Sequence, residues 1–539
     1  MTRAPSIAQL VFLVATSFTL LLSSTTSFVL SPYSIRPQNS FLRAKTKTAE
    51  PNEDSSCYLA TCIPGLAHVL AEELGEIHPE ITDIAVSGKA AVTFVATRKA
   101  SLHALCWVRT AHRLLELLAT SDTQGKYLYD RDDLHDFIAG ELNIKELLGD
   151  GEGGLLTLSV KAILNNSRQL PQDLSHSHFT ALSIKNAICD IVRDMRGDRP
   201  DVDVENPDVP LVAMLLGNGG GGASISLYRS LHPPGSLHKR GYRQGSAIHK
   251  ASMKESLAAG LLREAGWHKK LIQAKEEDQS LRLVDPMCGS GSFLLEAAMM
   301  ATDISPGLMR IRCGIPNQSL PPVTRWKSNT DAKNQWKAIL LDATKRAKNG
   351  LQWVRQDRSK IVLTGNDIHS GALEIMEASL ETAGLLDLVR ISNEDCYDFE
   401  IGPADKDVPH FVVVNPPWGV RLTDDLAESW DGLRHFLRDL CPQNTEAWVL
   451  SGHKEATGTL KLRRDRMVPI QTGDQHLRWI KYTIGGNMAN QGVQRSDRTT
   501  GAMNKNPAAK RTLTVKKTKV PVEKLSKKGK KVENEWLVD

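Results

Sequence analysis

The sequence predicts an α/β fold built on a parallel sheet and preceded by smaller α+β units. Three observations carry this. A glycine-rich turn, Asp285-Pro286-Met287-Cys288-Gly289-Ser290-Gly291, lies between an apolar strand-like run and a helical run. Acids close three successive strand-like runs, at Asp285, Asp367 and Asp395, which puts them at the carboxyl edge of one sheet. Far upstream, strand and helix patterns alternate over 57–120, the mark of a small α+β unit.

At 539 residues, the chain is long enough for three or four domains at roughly 150 residues each. With 41% apolar and 24% charged residues it is neither wholly disordered nor a polytopic membrane protein. The net charge of +5 is unevenly spread: residues 1–50 carry +4 and residues 485–539 carry +8, leaving −7 for the body between them. None of the eight cysteines forms a CxxC pair or clusters with histidine at metal-ligand spacing, which is the usage of a reducing compartment. His176 and His178 read as part of a solvated loop, and no metal is expected.

Residues 1–27 read as a signal-peptide-like segment. Arg3 precedes an apolar stretch from Leu10 to Leu22 that is short for a bilayer span, and small residues follow it. Residues 28–50 hold Arg36, Arg43, Lys45 and Lys47 and no acid before Glu50, so they read as a transit segment that opens on Phe28. The pair resembles the two-part presequence of plastid proteins in algae with complex plastids. It implies a plastid stroma destination and no stable membrane association after processing. A mitochondrial presequence is the alternative address, but it would be an amphipathic helix rather than an apolar core.

Along the body, a short strand from Cys57 leads into a helix over 64–74, whose Leu66, Val69, Leu70 and Leu74 recur at helical spacing. Alternation over 90–95 predicts a strand, and 100–118 predicts a second helix. Further on, 155–163 reads as a strand and 179–196 as a helix that Gly197 and Pro200 terminate. Strands over 209–216 and 223–228 flank a glycine run, 219–222, which reads as a hairpin tip because no helix follows it. The cluster His238-Lys239-Arg240-Gly241-Tyr242-Arg243 combines cations with an aromatic ring, a composition that can neutralise phosphates and stack on a base.

Two motifs carry chemistry. In the glycine-rich turn, Gly289 and Gly291 allow a backbone approach to a ligand that a Cβ would prevent. In Phe411-Val-Val-Val-Asn415-Pro416-Pro417-Trp418, a buried strand runs into two prolines that remove backbone donors and stiffen the turn. What remains is a set of carbonyl acceptors beside an aromatic face. Such acceptors can hold the N–H groups of a planar exocyclic amine and aim its lone pair at an electrophilic carbon.

Both motifs resemble those of class I S-adenosylmethionine-dependent amino-methyltransferases. The 179–200 segment and 236–243 resemble the THUMP-domain RNA methyltransferases, and within these the bacterial large-subunit (23S) rRNA guanine-N2 methyltransferases. The resemblance covers about 57–484. It implies a ferredoxin-like domain over 57–124, a THUMP RNA-binding domain over 125–243 and a seven-stranded, Rossmann-like methyltransferase domain over 244–484, with 485–539 as a basic, disordered tail. It further implies S-adenosylmethionine as cofactor. Asp285, Pro286, Cys288, Gly289, Ser290 and Gly291 would line the cofactor's amino-acid end, Asp367 its ribose and Asp395 its adenine. Asn415, Pro416, Pro417 and Trp418 would be catalytic, with Trp418 stacking on a flipped-out base. Arg199, Lys239, Arg240, Tyr242 and Arg243 would contact RNA. The expected reaction is methylation of guanine N2 in organellar large-subunit rRNA. A tRNA guanine-N2 methyltransferase, an adenine-N6 methyltransferase and an idle rRNA-assembly factor remain alternatives. The oligomeric state is left open.

The presequence reading is directly testable. The mature chain is expected to begin after residue 27, near 45–55, where the acid-free stretch ends. N-terminal sequencing of protein purified from the organelle checks this, and an intact Met1 refutes it.

Overall fold

The computed structural model describes residues 55–121, 126–149, 155–218, 220–243, 253–326, 331–401, 410–417 and 424–485. The expected presequence, the basic C-terminal segment and Trp418 lie outside the described residues.

The N-terminal half begins with β1 (Ser55–Thr61), α1 (Ala67–Ile77), β2 (Ile81–Ser87), β3 (Ala91–Thr97), α2 (Arg98–Trp107) and β4 (Arg113–Thr120). It continues with α3 (Arg131–Glu141), α4 (Ile144–Leu148), β5 (Leu158–Asn165), α5 (Ser177–Arg196), β6 (Val209–Gly217) and β7 (Ala223–Ser230). Local chemistry sets the ends of these elements. The Thr97 hydroxyl accepts from the Ala100 N–H and caps α2, and Asp130 caps α3 through the Asp132 and Asp133 N–H groups. Gly197, at φ +89°, closes α5 in the left-handed conformation. The hairpin tip is tied by the Asn218 side-chain oxygen, which accepts from Gly220 and Gly222.

The expected helix over 100–118 is corrected. It ends at Trp107, and its second half is strand β4. That strand lies at the centre of the sheet with Leu114 and Leu115 both fully buried on opposite faces. Burial on both faces removes the alternation by which a strand is recognised, and the remaining apolar run imitates a helix. Strand β2 was not expected either. It is an edge strand whose pairing with β3 slips between Thr82 and Ala85, and Asp83 within the slip has φ +48°.

All seven of these strands form one sheet, in the order β2-β3-β1-β4-β7-β6-β5. The seam between the two expected N-terminal domains is the antiparallel pairing of β4 with β7, from Leu115 opposite Ser230 to Thr120 opposite Ser226. At this seam Glu116, 3% exposed, receives a two-pronged pair from Arg98 (2.9 and 2.7 Å) and a further bond from Arg229 Nε (2.6 Å). The two cations hold the Glu116 carboxyl down, at about 2, against the opposing effect of burial.

The C-terminal half contains α6 (Glu255–Glu264), α7 (Trp267–Glu276), β8 (Leu281–Asp285), α8 (Ser292–Ala301), α9 (Pro306–Arg312), α10 (Ala332–Gln356), β9 (Ile361–Asn366) and α11 (Ser370–Ala383). After these come β10 (Val389–Ser392), β11 (Phe411–Val414), α12 (Asp424–His435), β12 (Glu446–Ser451), α13 (Lys454–Thr459), β13 (Arg464–Thr472) and β14 (Gln475–Thr483). Its sheet order is β10-β9-β8-β11-β12-β14-β13. The first five strands are mutually parallel, and β14 runs antiparallel to β12 and β13. The chain winds one way from β8 to β9 and β10, then returns to the other side of β8 at β11. The crevice for a ligand in such a sheet opens at that reversal, beyond the carboxyl ends of β8 and β11.

The halves share one apolar core that runs from Tyr58 to Trp479. Through its centre passes a buried polar network. Arg240 and Glu296, both fully buried, pair at 3.1 Å, and Tyr242 donates to the same carboxylate at 3.2 Å. Arg240 also donates to the carbonyls of Leu237 (2.7 Å) and Arg109 (2.6 Å). Farther out, Trp326 Nε1 donates to the Asp208 carbonyl, while the Arg229 guanidinium lies 4.0 Å over the Trp326 ring.

Removing Glu296 would leave Arg240 buried and uncompensated. Glu296→Ala is therefore expected to cost about 3–5 kcal/mol in urea unfolding, and Arg240→Met with Glu296→Leu to recover part of that loss.

Candidate active site

The carboxyl edge of the C-terminal sheet gathers the loops after β8, β9, β10 and β11. Asp285 ends β8 and is 1% exposed. Among the described residues its one intramolecular support is the Met287 N–H at 3.3 Å, and it has no cationic partner there. Burial pushes its carboxyl well above the usual carboxylate range, the Met287 N–H opposes this, and the nearby Asp367 adds to it. Cys288, in the following turn, is buried, and its thiol is likewise raised, first by burial and then by Asp285 and Asp367.

Asp367 follows β9 and organises the glycine turn. One carboxylate oxygen accepts from the Gly289 N–H at 2.8 Å, the other from the His369 N–H at 2.9 Å. Each oxygen keeps a second lone pair for a hydroxyl. Asp395 lies three residues beyond β10, is exposed, and accepts from the Tyr397 N–H at 2.8 Å.

The two glycines serve different ends. A Cβ on Gly291 (φ +72°) would fall 2.3 Å from Met376 Cγ, so this glycine lets α8 dock against α11. A Cβ on Gly289 (φ +53°) would meet no protein atom within 4 Å, so its backbone borders open space. An uncompensated buried carboxylate beside a bare backbone edge fits the amino-acid end of S-adenosylmethionine, which carries an ammonium and a sulfonium. Pro286 and Ser290 complete the turn, and both are buried.

On the neighbouring strand, all four residues of β11 are buried, and the turn after it begins with half-buried Asn415 and buried Pro416. Val412 lies opposite Val284, so Asn415 and Asp285 emerge from strands about 4.8 Å apart. Pro417 is exposed, and its carbonyl accepts from Trp430 Nε1 at 2.9 Å.

Two positions outside the motifs hold this edge together. The Asn366 side chain donates to the carbonyls of Pro286 and Glu394 (both 3.1 Å) and accepts from the Glu394 N–H (3.0 Å), clamping the loops after β8 and β10. Trp430, on α12, is fully buried beneath the Asn-Pro-Pro turn. Gly432 on the same helix fits under the Asp395 loop, where a Cβ would come within 3.3 Å of Tyr397 N. Asn366 stood in the sequence directly before Asp367 at a strand end, whereas nothing local marked Trp430.

The expected RNA contacts separate. Arg199 is exposed and pairs with Asp190 at 2.7 Å, and Lys239 is exposed. Arg240 and Tyr242 are corrected: both are buried against Glu296, with no face for RNA. Arg243 is corrected as well. It is 10% exposed in its side chain and donates to the Met253 carbonyl (2.8 Å) and to Ser292 Oγ. These three fasten the connector to α8. Among the described residues one group has metal-ligand geometry, Glu72, Glu76 and His268, but Lys269 (2.6 Å) and Arg263 (2.5 Å) already occupy its carboxylates.

Comparison with known proteins matches residues 240–481 to the RMKL-like methyltransferase domain, 129–219 to the THUMP domain and 58–115 to the RlmL ferredoxin-like domain. The ribosomal RNA large subunit methyltransferase K/L of Ectopseudomonas mendocina (strain ymp) is 34% identical over 429 residues, covering 77% of this chain and 50% of that protein. The protein of the same name from Shewanella frigidimarina (strain NCIMB 400) is 30% identical, covering 81% of this chain and 54% of its own. The chain thus spans about half the length of the curated relatives it matches. Among solved structures, a possible methylase from Clostridium difficile 630 superposes with a TM-score of 0.63 at 21% identity, over 81% of this chain and 100% of that one, a likeness of fold.

The raised Asp285 carboxyl has a consequence for stability. Its folded value lies above its unfolded one, so ionisation works against the folded state, and stability is lost as pH rises from the unfolded value through the folded one. Asp285→Asn is therefore expected to raise the thermal midpoint of the ligand-free protein at neutral pH and to flatten its pH dependence, read by scanning calorimetry across pH.

Proposed function

We propose, from the premise that this chain joins a THUMP domain to an RMKL-like methyltransferase domain, that it methylates the N2 amine of a guanine in large-subunit ribosomal RNA. The observation that carries this is the placement of the Asp285–Gly291 turn and the Asn415-Pro416 turn on neighbouring strands at the point where the strand order reverses. S-adenosylmethionine, when bound, supplies an electrophilic methyl group on a sulfonium. Asp285 offers the counter-charge for its cationic end, Gly289 leaves room along the backbone, and Asp367 and Asp395 offer acceptors to the ribose and adenine.

The Asn415 side-chain carbonyl and the Pro416 carbonyl accept the two amine N–H groups. That hold orients the nitrogen lone pair and favours the positive charge that develops there. Proline at 416 and 417 removes competing donors, and the Trp430 bond to the Pro417 carbonyl fixes the turn from below. Trp418, next in sequence, lies outside the described residues, and the motif's resemblance assigns it the stacking on the base. The amine proton then passes to water. The THUMP match of this chain and relatives named for ribosomal RNA support RNA as the substrate, and the acid-free N-terminal segment supports a plastid RNA.

Asn415→Ala is expected to lower kcat by about 3 kcal/mol or more of transition-state stabilisation with cofactor affinity nearly unchanged. Asp367→Ala should do the reverse, weakening cofactor binding in calorimetry and regaining much of its rate at saturating cofactor. Mapping of modified guanines in organelle rRNA and tRNA from a strain lacking the protein identifies the target. A missing N2-methylguanine in tRNA, or a missing N6-methyladenine, would overturn the assignment.

A further inference from the structure

Close to the buried Arg240 network, three chain segments converge at the surface where the two halves meet. His112 directly precedes Arg113, the first residue of β4, Ser236 to Lys239 belong to the connector, and Lys254 directly precedes Glu255 and Ser256, the first residues of α6. Hydrogen bonds fix their convergence. The Leu237 N–H (2.9 Å) and the Ser236 hydroxyl (3.2 Å) both donate to the His112 carbonyl. His112 Nε2 lies 2.8 Å from Ser256 Oγ, and His238 Nδ1 lies 2.7 Å from Ser236 Oγ. The two imidazole rings are neighbours, tilted by 60° with centroids 5.7 Å apart.

Around this pair stand Arg113, half-buried, and Lys239 and Lys254, both exposed. Among the described residues none of the three forms an ion pair with a carboxylate. The acid adjacent in sequence, Glu255, is 5% exposed and turned inward toward Arg243. Burial, and after it the surrounding charges, hold His112 at about 3 and His238 at about 4. The fixed charges acting on them are Lys254, Arg113 and Arg240 for the first, and Lys254, Arg240, Lys239 and Arg243 for the second. All are cations. Of these cations Arg240 and Arg243 are paired with Glu296 and Glu255, which leaves Arg113, Lys239 and Lys254, among the described residues, as positive charges without a paired carboxylate in a body whose net charge is −7.

The patch is tied to the rim of the site. Lys254 is next in sequence to Met253, whose carbonyl accepts from both Arg243 and Ser292, and Ser292 opens α8 directly after Gly291. We propose that Arg113, Lys239 and Lys254 form a track for RNA backbone phosphates across the junction of the ferredoxin-like unit and the methyltransferase domain, with the His112–His238 pair as its floor. The track rests on the reading of RNA as substrate. It adds to that reading a seat that needs residues from both halves, so the strand is gripped only when the halves hold their packed arrangement. Phosphate contacts position a strand without reading its sequence, and the track would set how far a target base lies from Asn415.

The test uses the full chain and a fluorescent RNA stem-loop of mixed sequence, with affinity measured between about 50 and 200 mM salt. The Arg113→Gln, Lys239→Gln, Lys254→Gln triple variant is expected to bind at least about tenfold more weakly and to lose about three from the slope of log affinity against log salt. Calorimetry with S-adenosylmethionine confirms that it is folded. Because Arg113 is half-buried, the Lys239→Gln, Lys254→Gln double variant, with both positions exposed, is measured beside it and should lose about two. Lys239→Arg with Lys254→Arg should keep the wild-type slope. A folded triple or double variant with the wild-type slope overturns the track while leaving the RNA reading intact. A wild-type chain that binds no RNA overturns both.

Discussion

The arrangement of the molecule depends on one buried ion pair. Arg240 comes from the connector between the halves and Glu296 from the helix that follows the glycine-rich turn, and neither reaches solvent. An ion pair without water stays favourable only when every remaining donor and acceptor is also satisfied. Here Tyr242 donates to the carboxylate, and the carbonyls of Leu237 and Arg109 take further guanidinium hydrogens. Because Arg109 belongs to the N-terminal half, the network specifies a single docking of that half on the other. A purely apolar junction would hold the halves together with less positional definition.

That docking has a functional meaning. The N-terminal strands form a single sheet through the β4–β7 seam, so the two N-terminal units move as one body. The body is fastened to α8 by Arg240, Tyr242 and Arg243, and α8 begins where the glycine-rich turn ends. The N-terminal sheet and the glycine-rich turn are thereby held at a fixed separation. For the proposed RNA substrate, such a geometry would select a base by its distance from a gripped backbone as well as by its chemistry.

At the site, stability and chemistry pull in opposite directions. Asp285 is buried without a cation, and Gly289 leaves unfilled space, two features that a fold optimised only for stability would remove. The surrounding structure compensates. Asn366 clamps two loops, Asp367 orders the glycine turn through the Gly289 N–H, and Trp430 props the Asn-Pro-Pro turn. Each contact immobilises backbone near the positions left open for ligand.

The sequence by itself determined the parallel sheet, its acidic carboxyl edge and the two chemical turns. These are contiguous motifs whose glycines, prolines and strand-end acids impose local backbone demands wherever they fold. Tertiary structure decided the rest. Residues 113–120 became a strand because a central position in the sheet buries both faces, which local periodicity cannot distinguish from a helix. Arg240 and Tyr242 had the composition of an RNA contact, yet their partner, Glu296, stands 56 and 54 residues away and takes them into the core. Trp430 supports the Asn-Pro-Pro turn across a gap in sequence that no motif spans. A charge or a ring acquires its role from what is packed against it, and for these residues that partner is distant in the chain.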